Sequence, residues 1–451
     1  MSDDMRRYRE LSDKAKELEA EEKFAQAADL YKQAYDLYPS AFVASRYIRC
    51  LRNQGKSLVA VDFGRQLPKQ LLNDSFVHNA VSWAIYDVYL KKAENIDDNE
   101  FNDVGHDKLS NSDFDVIQKR AQYILKKSSA TDDILRTRTV FAICNEAKQR
   151  GKPQVMYDFA CQLDPERLSS EQKEWNGRKL PSDYQRWLYM MVRSLLELNR
   201  YDECMEFARK GSEKVPREKL FYWWQACIKK ALGQVEEALG DLERIDTRFP
   251  KEWYIQRDIA DGYAQLQKYD DAWVWFCKAA DCPGDRKGRF KMFEQMSMLL
   301  EQRGCWQEAY DHLQLAYAII EQEKWDHPAE VLQGKLVQFR KRHAAHMTFP
   351  TNTSIEIGPN LQRCRVQWQE TIHASHTLRK GYIKRLQNEL GYGFIRADND
   401  DIHFRFRDVI NKVTPVEGME VEFEIVKSYD EKKQRDSTKA VNIRPVRKHS
   451  N

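Results

Sequence analysis

Hydrophobic and small residues near the start of the chain recur at the spacing of one helix face. Phe24, Ala27, Tyr31 and Ala34 follow one another at intervals of three, four and three residues, and Pro39 comes five residues later. Residues three and four apart lie on one side of an α-helix, and a proline ends a helix because it lacks the backbone N–H and clashes with the preceding turn. The pattern therefore predicts an amphipathic helix that ends shortly before Pro39.

The same pattern returns along the chain at a nearly fixed interval. It begins again at Tyr201, and further copies begin 34 residues later at Val235, 34 residues after that at Tyr269, and 37 residues after Tyr269 at Trp306. The further members of these copies are Cys204, Ala208, Gly211 and Pro216, then Ala238, Leu242, Ile245 and Pro250, then Ala272, Phe276 and Ala279, then Ala309, Leu313 and Ala316, with a weaker copy at Leu58 and Val61. A period of this length predicts one supersecondary unit per repeat, stacked on its neighbours.

The repeat resembles that of the tetratricopeptide-repeat (TPR) family, in which each repeat is a pair of antiparallel helices. The resemblance implies that residues 1–345 form one helical solenoid. Small residues such as Ala27 and Ala238 would let two helices approach closely, and Leu232–Gln234 would form a turn within a pair. Most aromatic residues on these helix faces are then expected in the core rather than in a ligand site, including Trp223, Trp224, Trp273 and Trp275.

Between residues 75 and 165 the repeat is less regular, although helical periodicity persists in residues 81–86 and 140–143. We expect degenerate repeats in this part of the chain. Two polar stretches, Asn95–Asp113 and Glu166–Asp183, are expected to be long loops or insertions between helices.

The residue pattern changes after His346. The run Thr348–Ser354 is rich in turn-forming residues, so it marks a domain boundary. Ile355–Ile357 and Val366–Trp368 then alternate apolar and polar residues, which predicts short strands or a partly ordered linker. We therefore expect residues 346–377 to link the solenoid to a last domain.

Residues 378–447 have the pattern of a small β domain, followed by a tail at 448–451. Short apolar runs are separated by polar turns, and about five strands in roughly 65 residues predict an OB-type barrel. The clearest runs are Tyr382–Ile383, Gly393–Ile395, Ile402–Phe406 and Val421–Val426. The predicted fold class is thus mostly α, a TPR-like helical solenoid with a small C-terminal all-β OB-fold barrel.

Alternation within these strands places aromatic and cationic side chains outside the predicted core. Successive residues of a strand point to opposite faces. If Ile402 and Phe404 face the core, the residues that alternate with them face outward. The predicted outward residues are Tyr392, Phe394, His403 and Arg405, with Lys384, Arg385 and Arg396 interleaved. Unpaired bases stack on aromatic rings for about 1–3 kcal/mol each and phosphates pair with cations, so this pattern favours single-stranded nucleic acid as the ligand.

The same segment resembles a cold-shock domain, the fold of bacterial cold-shock proteins and eukaryotic Y-box proteins. The resemblance covers roughly Gly381 to Val446. Its matching motifs are Gly381–Leu386, Leu390–Ile395, Asp401–Phe406, Glu417–Glu424 and Ala440–Ile443, in the family's order.

The resemblance implies a stacking surface and a phosphate contact. The stacking surface would comprise Tyr392, Phe394, His403, Arg405 and Phe406, and Lys384 would contact a phosphate. This chain departs from the family at Arg385, where the family has a Trp, at His403 in place of a Phe and at Arg405 in place of a His. Because a guanidinium both stacks and carries charge, these departures predict binding that is more sensitive to salt.

The amino-acid composition and the charge limit the classes of protein to which the chain can belong. With 451 residues, 42% of them hydrophobic and 32% charged, the chain can form two or more folded domains, and only 18 Gly and 13 Pro favour a mostly helical protein. The net charge of +3 is concentrated after Leu378, where 16 Lys and Arg face 12 Asp and Glu. Two interpretations are open for the basic residues Lys432, Lys433, Arg435, Arg444, Arg447 and Lys448, which could extend the phosphate contacts or be solvated charges at the chain end.

No enzyme or cofactor motif stands out. The chain has no phosphate-binding glycine loop, no G-x-S-x-G elbow and no H-E-x-x-H helix, so we expect a protein that is not an enzyme and needs no cofactor. His343, His346, Cys364, His373 and His376 are potential zinc ligands, but their spacing is a weak signal and we expect no metal.

The nine cysteines include no C-x-x-C pair, which favours reduced thiols and a cytoplasmic location. No secretory leader or bilayer-length apolar run is evident, so we expect no membrane association.

Two functional hypotheses follow from the sequence. In the first, the chain is a non-enzymatic adaptor whose barrel binds single-stranded RNA or ssDNA, while the concave surface of the TPR solenoid recruits a protein partner. In the second, the chain is a protein-interaction scaffold or a regulatory subunit, and its barrel docks protein rather than nucleic acid.

Overall fold

The computed structural model describes residues 3–94, 111–127, 133–172, 174–175, 177–349, 356–375, 378–410, 413–430, 433 and 435–446. The chain divides into two compact units, Met1–Val215 and Pro216–Asn451. This division falls within the segment 1–345 that the repeat pattern predicts as one solenoid. None of the helices in the described ranges is long and apolar enough to span a membrane.

The first unit consists of helices and one short hairpin. Its elements are α1 (Asp3–Ala20), α2 (Phe24–Leu37), α3 (Ala41–Asn53), α4 (Ser57–Gln66), α5 (Lys69–Leu72), α6 (Ser75–Tyr89), α7 (Lys91–Glu94), α8 (Asn111–Lys127), α9 (Asp133–Gln149), α10 (Pro153–Ala160), β1 (Glu174–Trp175), β2 (Arg178–Lys179), α11 (Asp183–Glu197) and α12 (Tyr201–Lys214). Strands β1 and β2 form an antiparallel hairpin within the predicted insertion Glu166–Asp183. Most of the other predicted insertion, Asn95–Asp113, lies outside the described residues.

The second unit contains helices followed by strands. Its elements are α13 (Lys219–Ala231), α14 (Val235–Arg248), α15 (Trp253–Gln265), α16 (Tyr269–Asp281), α17 (Phe290–Gln302), α18 (Trp306–Gln322), α19 (Asp326–His343), α20 (Ile357–Ser375), β3 (Leu378–Gln387), β4 (Tyr392–Ala397), β5 (Asp400–Arg405), β6 (Glu420–Asp430) and β7 (Arg435–Pro445). The five last strands form a closed barrel in the order β3-β4-β5-β7-β6. The predicted fold class, TPR-like helix pairs with a C-terminal barrel, is confirmed.

The helices begin and turn where the repeat pattern places them. Tyr201, Val235, Tyr269 and Trp306 are each the first residue of a helix. The turn before α14 contains Gly233 at φ +82°, a left-handed conformation that glycine adopts without strain. The small residues Ala27, Ala238, Ala272 and Ala309 are buried, as close helix packing requires.

The aromatic residues of these helices also lie where the sequence predicts. Trp223, Trp224 and Trp273 are buried, and Trp275 is partly buried against the core cluster that contains Trp273. The prediction that these indoles lie in the helical core is therefore confirmed for Trp223, Trp224 and Trp273.

One predicted element is wrong. Val366–Trp368 was expected to be a short strand or part of a loose linker, but it lies inside α20, which packs against α16 and α18. Cys364 and Trp368 are buried four residues apart while Val366 is exposed, which is helical rather than strand periodicity. The other expected strand, Ile355–Ile357, falls largely outside the described residues, and its last residue begins α20.

Candidate nucleic-acid interface

The outward face of the barrel is organised by the pairing of β3, β4, β5 and β7. Residues that pair directly across antiparallel strands share a face, so the register defines three outward rows. Row 1 contains Tyr382, Arg396 and Asp401. Row 2 contains Arg385, Phe394 and His403, and the parallel pairing of His403 with Lys439 extends this row to β7. Row 3 contains Gln387, Tyr392 and Arg405.

The alternation predicted for β4 and β5 is confirmed by burial. Ile395, Ile402 and Phe404 are buried in the barrel core. Tyr392, Phe394 and His403 are only partly buried, and Arg405 is exposed. A barrel of this size needs one face of each strand for its core, so the rings of the other face meet the surface.

Three rings of rows 2 and 3 contact one another and are called the ring cluster here. The centroid of His403 lies 5.3 Å from that of Tyr392 and 5.7 Å from that of Phe394, and the Tyr392 and Phe394 centroids are 6.0 Å apart. The ring planes meet at 43° to 86°, so the rings do not cover one another face to face. Such tilted rings leave aromatic surface on which a flat base can stack.

Two glycines allow the ring cluster to form. Gly391 has φ +67°, a left-handed conformation that turns the chain into β4. A Cβ on Gly393 would lie 2.7 Å from the carbonyl oxygen of Arg385 and 2.7 Å from the ring of Phe404, so only glycine lets β3 and the core approach β4 this closely. The glycines on both sides of Tyr392 are therefore required by the structure, Gly391 for its backbone conformation and Gly393 for the close packing around it.

Cations surround the ring cluster. Arg385 pairs with Phe394 in the register, Arg405 pairs with Tyr392, and Lys439 pairs with His403. With the amide of Gln387 oriented so that its oxygen faces Arg385, that oxygen accepts hydrogen bonds from Nη2 and Nε of Arg385 at 2.9 and 3.0 Å. The arrangement offers positive charge on both sides of an aromatic surface.

Lys439 also belongs to this face, although no sequence motif singles it out. This residue is far from the matched motifs of β4 and β5, and only the parallel pairing of β5 with β7 brings it beside His403. A signal existed in the alternation of β7, because the buried residue Ala440 leaves its neighbour Lys439 to face outward.

The surroundings of His403 favour its neutral form. Burial lowers its pKa below the usual 6.5, and the nearby cations Arg405 and Lys439 lower it further, whereas Asp408 and Asp430 oppose the shift. The imidazole is therefore uncharged at neutral pH in the free protein and can act as a third ring of the cluster.

Two predicted site residues lie elsewhere. Lys384 is exposed on β3, but its ammonium forms an ion pair with Asp401 at 2.7 Å. Phe406 follows β5 in a short 3₁₀ turn and packs against the barrel core, with its ring centroid 6.2 Å from that of Phe404. The structure thus brings together Arg385, Tyr392, Phe394, His403 and Arg405, and places Lys384 and Phe406 outside their cluster.

The barrel contacts the helices through β6. Nζ of Lys427 lies 3.2 Å from Oε2 of Glu243 on α14, and the guanidinium of Arg248, also on α14, lies 5.7 Å from the ring centroid of Tyr429. The ring cluster is on β4 and β5, whereas these contacts are on β6.

The histidines considered as zinc ligands serve other contacts. His343 lies 2.7 Å from Glu301 and stacks near Trp306, and His373 lies 3.4 Å from Glu424. Cys364 is buried against the helical core, and His376 lies outside the described residues. Within the described ranges, no group of three His, Cys, Asp or Glu side chains could hold a metal ion.

The basic C-terminal residues are described only in part. Lys432, Arg447 and Lys448 lie outside the described residues. Arg444 forms an ion pair with Glu422 at 3.4 Å, and Arg435 pairs with Asp430 in the register of the β6–β7 hairpin. Glu422 therefore offsets the positive charge of Arg444, one of the basic residues that the sequence suggests as phosphate contacts.

Comparison with known proteins gives similarity in fold alone. No protein-family model and no curated protein sequence matches the chain. Among solved structures, the human IFIT1 dimer with m7Gppp-AAAA aligns at 11% identity over 80% of this chain and 79% of that chain, with a TM-score of 0.39. Yeast Tom70 aligns at 12% identity over 82% and 97%, with a TM-score of 0.30. The TPR2AB domain of yeast Sti1 in its pHSP90 complex aligns at 10% identity over 66% and 95%, with a TM-score of 0.27. At these values the similarity carries no argument about function.

Proposed function

We propose that this chain is a non-enzymatic adaptor whose barrel binds single-stranded nucleic acid. The observation that supports it is the ring cluster of Tyr392, Phe394 and His403, which faces outward between Arg385, Arg405 and Lys439. An outward aromatic surface costs free energy in water unless a ligand covers it. The cations beside the aromatic surface favour a ligand that carries both flat apolar groups and anionic groups.

Single-stranded nucleic acid has this chemistry. Its bases are unpaired and stack on rings at about 1–3 kcal/mol per base, while its phosphates pair with Arg and Lys. Duplex nucleic acid presents phosphates without free base faces, so it would use only the cations. We therefore assign the single strand, RNA or DNA, as the ligand of this face.

The barrel is proposed to be of the cold-shock type. The residues that resemble the family's stacking motifs, Tyr392 and Phe394 on β4 and His403 on β5, are the residues of the ring cluster. Arg385 and Arg405 take positions where the family has rings, so part of the stacking area is replaced by guanidinium groups. Because more of the binding free energy is then electrostatic, affinity falls steeply as salt rises.

The helix pairs are proposed to recruit a protein partner. Stacked helix pairs form extended surfaces that suit peptides and other long ligands. In this proposal the protein joins a nucleic acid on the barrel to a protein on the helices, and neither part performs catalysis.

Titration of the full chain with a fluorescein-labelled single-stranded oligonucleotide tests the proposal. We expect binding at low salt that weakens as salt rises. Substituting both Tyr392→Ala and Phe394→Ala removes two stacking rings, so binding should weaken by about 2–6 kcal/mol at most. Tyr382→Ala is the matched control, because Tyr382 is an exposed tyrosine of the same outward face outside the ring cluster.

The control should bind like the wild type. If the wild-type chain does not bind at low salt, or if the Tyr382 variant weakens binding as much as the double variant, the ring cluster is not a nucleic-acid site. A barrel that docks protein would then be the better explanation of the outward rings.

A further inference from the structure

The outward face of the barrel is electrically asymmetric, and Asp401 lies at its acidic end. Oδ2 of Asp401 is 2.7 Å from Nζ of Lys384, and its Oδ1 is 2.7 Å from Nε of Arg396. Nη1 of Arg396 also donates to the carbonyl oxygen of Asn399 at 3.0 Å. One carboxylate therefore occupies two of the cations that the sequence places beside the rings.

Neighbouring residues strengthen the acidic end. The turn between β4 and β5 contains Asp398, which forms an ion pair with Arg379 of β3, and β5 then begins with Asp400 and Asp401. Three carboxylates thus lie within four residues, and two of them, Asp398 and Asp401, neutralise Arg379, Lys384 and Arg396 at this end of the face.

The cations of rows 2 and 3 are placed differently. Among the described residues, no carboxylate oxygen forms an ion pair with Arg385, Arg405 or Lys439. Their charge is therefore available to a phosphate, whereas a phosphate at row 1 would meet Asp401 and would have to displace it from two cations. Displacing an ion pair and approaching a like charge both oppose binding.

We infer that Asp401 is a specificity-determining residue of the proposed nucleic-acid site, which excludes the phosphate backbone from row 1. This inference rests on the proposed function. The strand then crosses the barrel along row 2, from Arg385 over the ring cluster to Lys439, instead of extending along β3 and β4 toward Arg396. With neighbouring strands about 4.8 Å apart, this path is about 14 Å long.

If Asp401 excludes phosphates from row 1, removing its negative charge should strengthen the binding of a single-stranded oligonucleotide. In Asp401→Asn, Lys384 and Arg396 become available to phosphates, so affinity for a short fluorescein-labelled oligothymidylate should rise about fivefold at low salt. Two added phosphate contacts should also steepen the dependence of log affinity on log salt by about 1.4.

Two control variants separate this role from a general change in charge. Asp400→Asn makes the same charge change at an exposed neighbour, so it should change affinity less than about twofold. Lys384→Ala should have a similarly small effect in the wild-type chain, because Asp401 already neutralises the ammonium, but it should remove about half of the gain in the Asp401→Asn chain.

The outcomes distinguish the inference from the proposed function. If Asp401→Asn and Asp400→Asn bind equally, or if Lys384→Ala weakens the wild type as much as the Asp401→Asn chain, the inference is wrong while the proposed function stands. If no variant of the full chain binds the oligothymidylate at low salt, both are wrong.

Discussion

His403 is both an aromatic ring of the ring cluster and a titratable group beside the cations Arg405 and Lys439. Burial and the charges of Arg405 and Lys439 lower its pKa, so the free protein holds it neutral at pH 7. A bound phosphate nearby would favour the imidazolium and raise this pKa in the complex. Protonation and binding are therefore coupled.

The coupling predicts that affinity rises as pH falls. Above the pKa of the complex His403 is neutral in both states and adds no charge, and as pH drops through that pKa the complex takes up a proton that the free protein does not. We expect the affinity for a single-stranded oligonucleotide to increase about three- to tenfold between about pH 7.5 and pH 5.5.

Two substitutions check this prediction. His403→Gln should make the affinity nearly independent of pH in this range, while His373→Gln should leave the pH dependence intact because His373 lies beside Glu424 rather than in the ring cluster. Equal pH dependence in wild type and His403→Gln would show that another group is responsible.

For single residues, the sequence predicted which side chains face outward, but it did not predict which charged side chains lack an ion-pair partner among the described residues. Alternation along β4 and β5 identified Tyr392, Phe394 and His403, because a period of two is a local property of a strand. The ion pair of Lys384 with Asp401 and the approach of Lys439 to His403 depend on strand pairing between distant segments. No local pattern records such pairings.

Among the elements, α20 shows most clearly how packing overrides a local pattern. Its indole at Trp368 stacks on Phe293 with the ring planes 3° apart, and the indole N–H donates to Nε2 of His312 at 2.8 Å. Trp273 donates in turn to the hydroxyl of Thr371 at 3.1 Å. These contacts hold α20 against α16, α17 and α18, so the segment is an integral helix of the second unit rather than a linker.

The bond from Trp368 fixes the protonation state of His312. An indole N–H can only donate, so Nε2 of His312 must accept, and its Nδ1–H donates to the carbonyl oxygen of Glu308 at 2.8 Å. His312 is fully buried, and burial lowers its pKa to about 4. Protonation would place a charge in the core and break the bond to Trp368.

Stability of the second unit should therefore decrease in acid. Because the folded-state pKa lies below the ordinary 6.5, the unfolded chain binds the proton first, and the contribution of His312 is present above pH 6.5 and lost as pH falls toward 4. The loss amounts to roughly 3 kcal/mol in the free energy of unfolding. Urea unfolding of the wild type and of His312→Gln across this pH range measures it.

The comparison between the two chains is necessary because Asp246 titrates in the same range with the opposite sign. Burial raises the pKa of Asp246 to about 6, so its protonation stabilises the folded state as pH falls. The free energy of the wild type minus that of His312→Gln should therefore decrease toward pH 4. A constant difference would contradict the assignment of a neutral, buried His312.

Elements of the repeat were predictable because each carries its own signal. Helix starts at Val235 and Tyr269 follow from the spacing of small and apolar residues. In residues 366–368, three residues with alternating polarity fit a strand as well as a helix. The longer series Leu361, Cys364, Trp368 and Ile372 has helical spacing and decides for the helix.

At the scale of the whole molecule, the second unit joins helical repeats and the barrel in one compact body. Lys427 and Glu243, which are 184 residues apart in sequence, form an ion pair, and α20 leads directly into β3. The exposed ion pair contributes little stability by itself. The sequence predicted the two kinds of fold, but it gave no sign of this contact or of a division of the chain at Val215.

The account as a whole depends on nucleic acid lying across the ring cluster. Ultraviolet crosslinking of the full chain to a bound single-stranded RNA, followed by mass spectrometry of the crosslinked peptides, identifies the side chains that the bases touch. We predict crosslinks at Tyr392, Phe394 or His403, which are lost in the Tyr392→Ala and Phe394→Ala double variant. Crosslinks confined to the helices of residues 219–343, or a bound strand that crosslinks equally well in the double variant, would contradict the account.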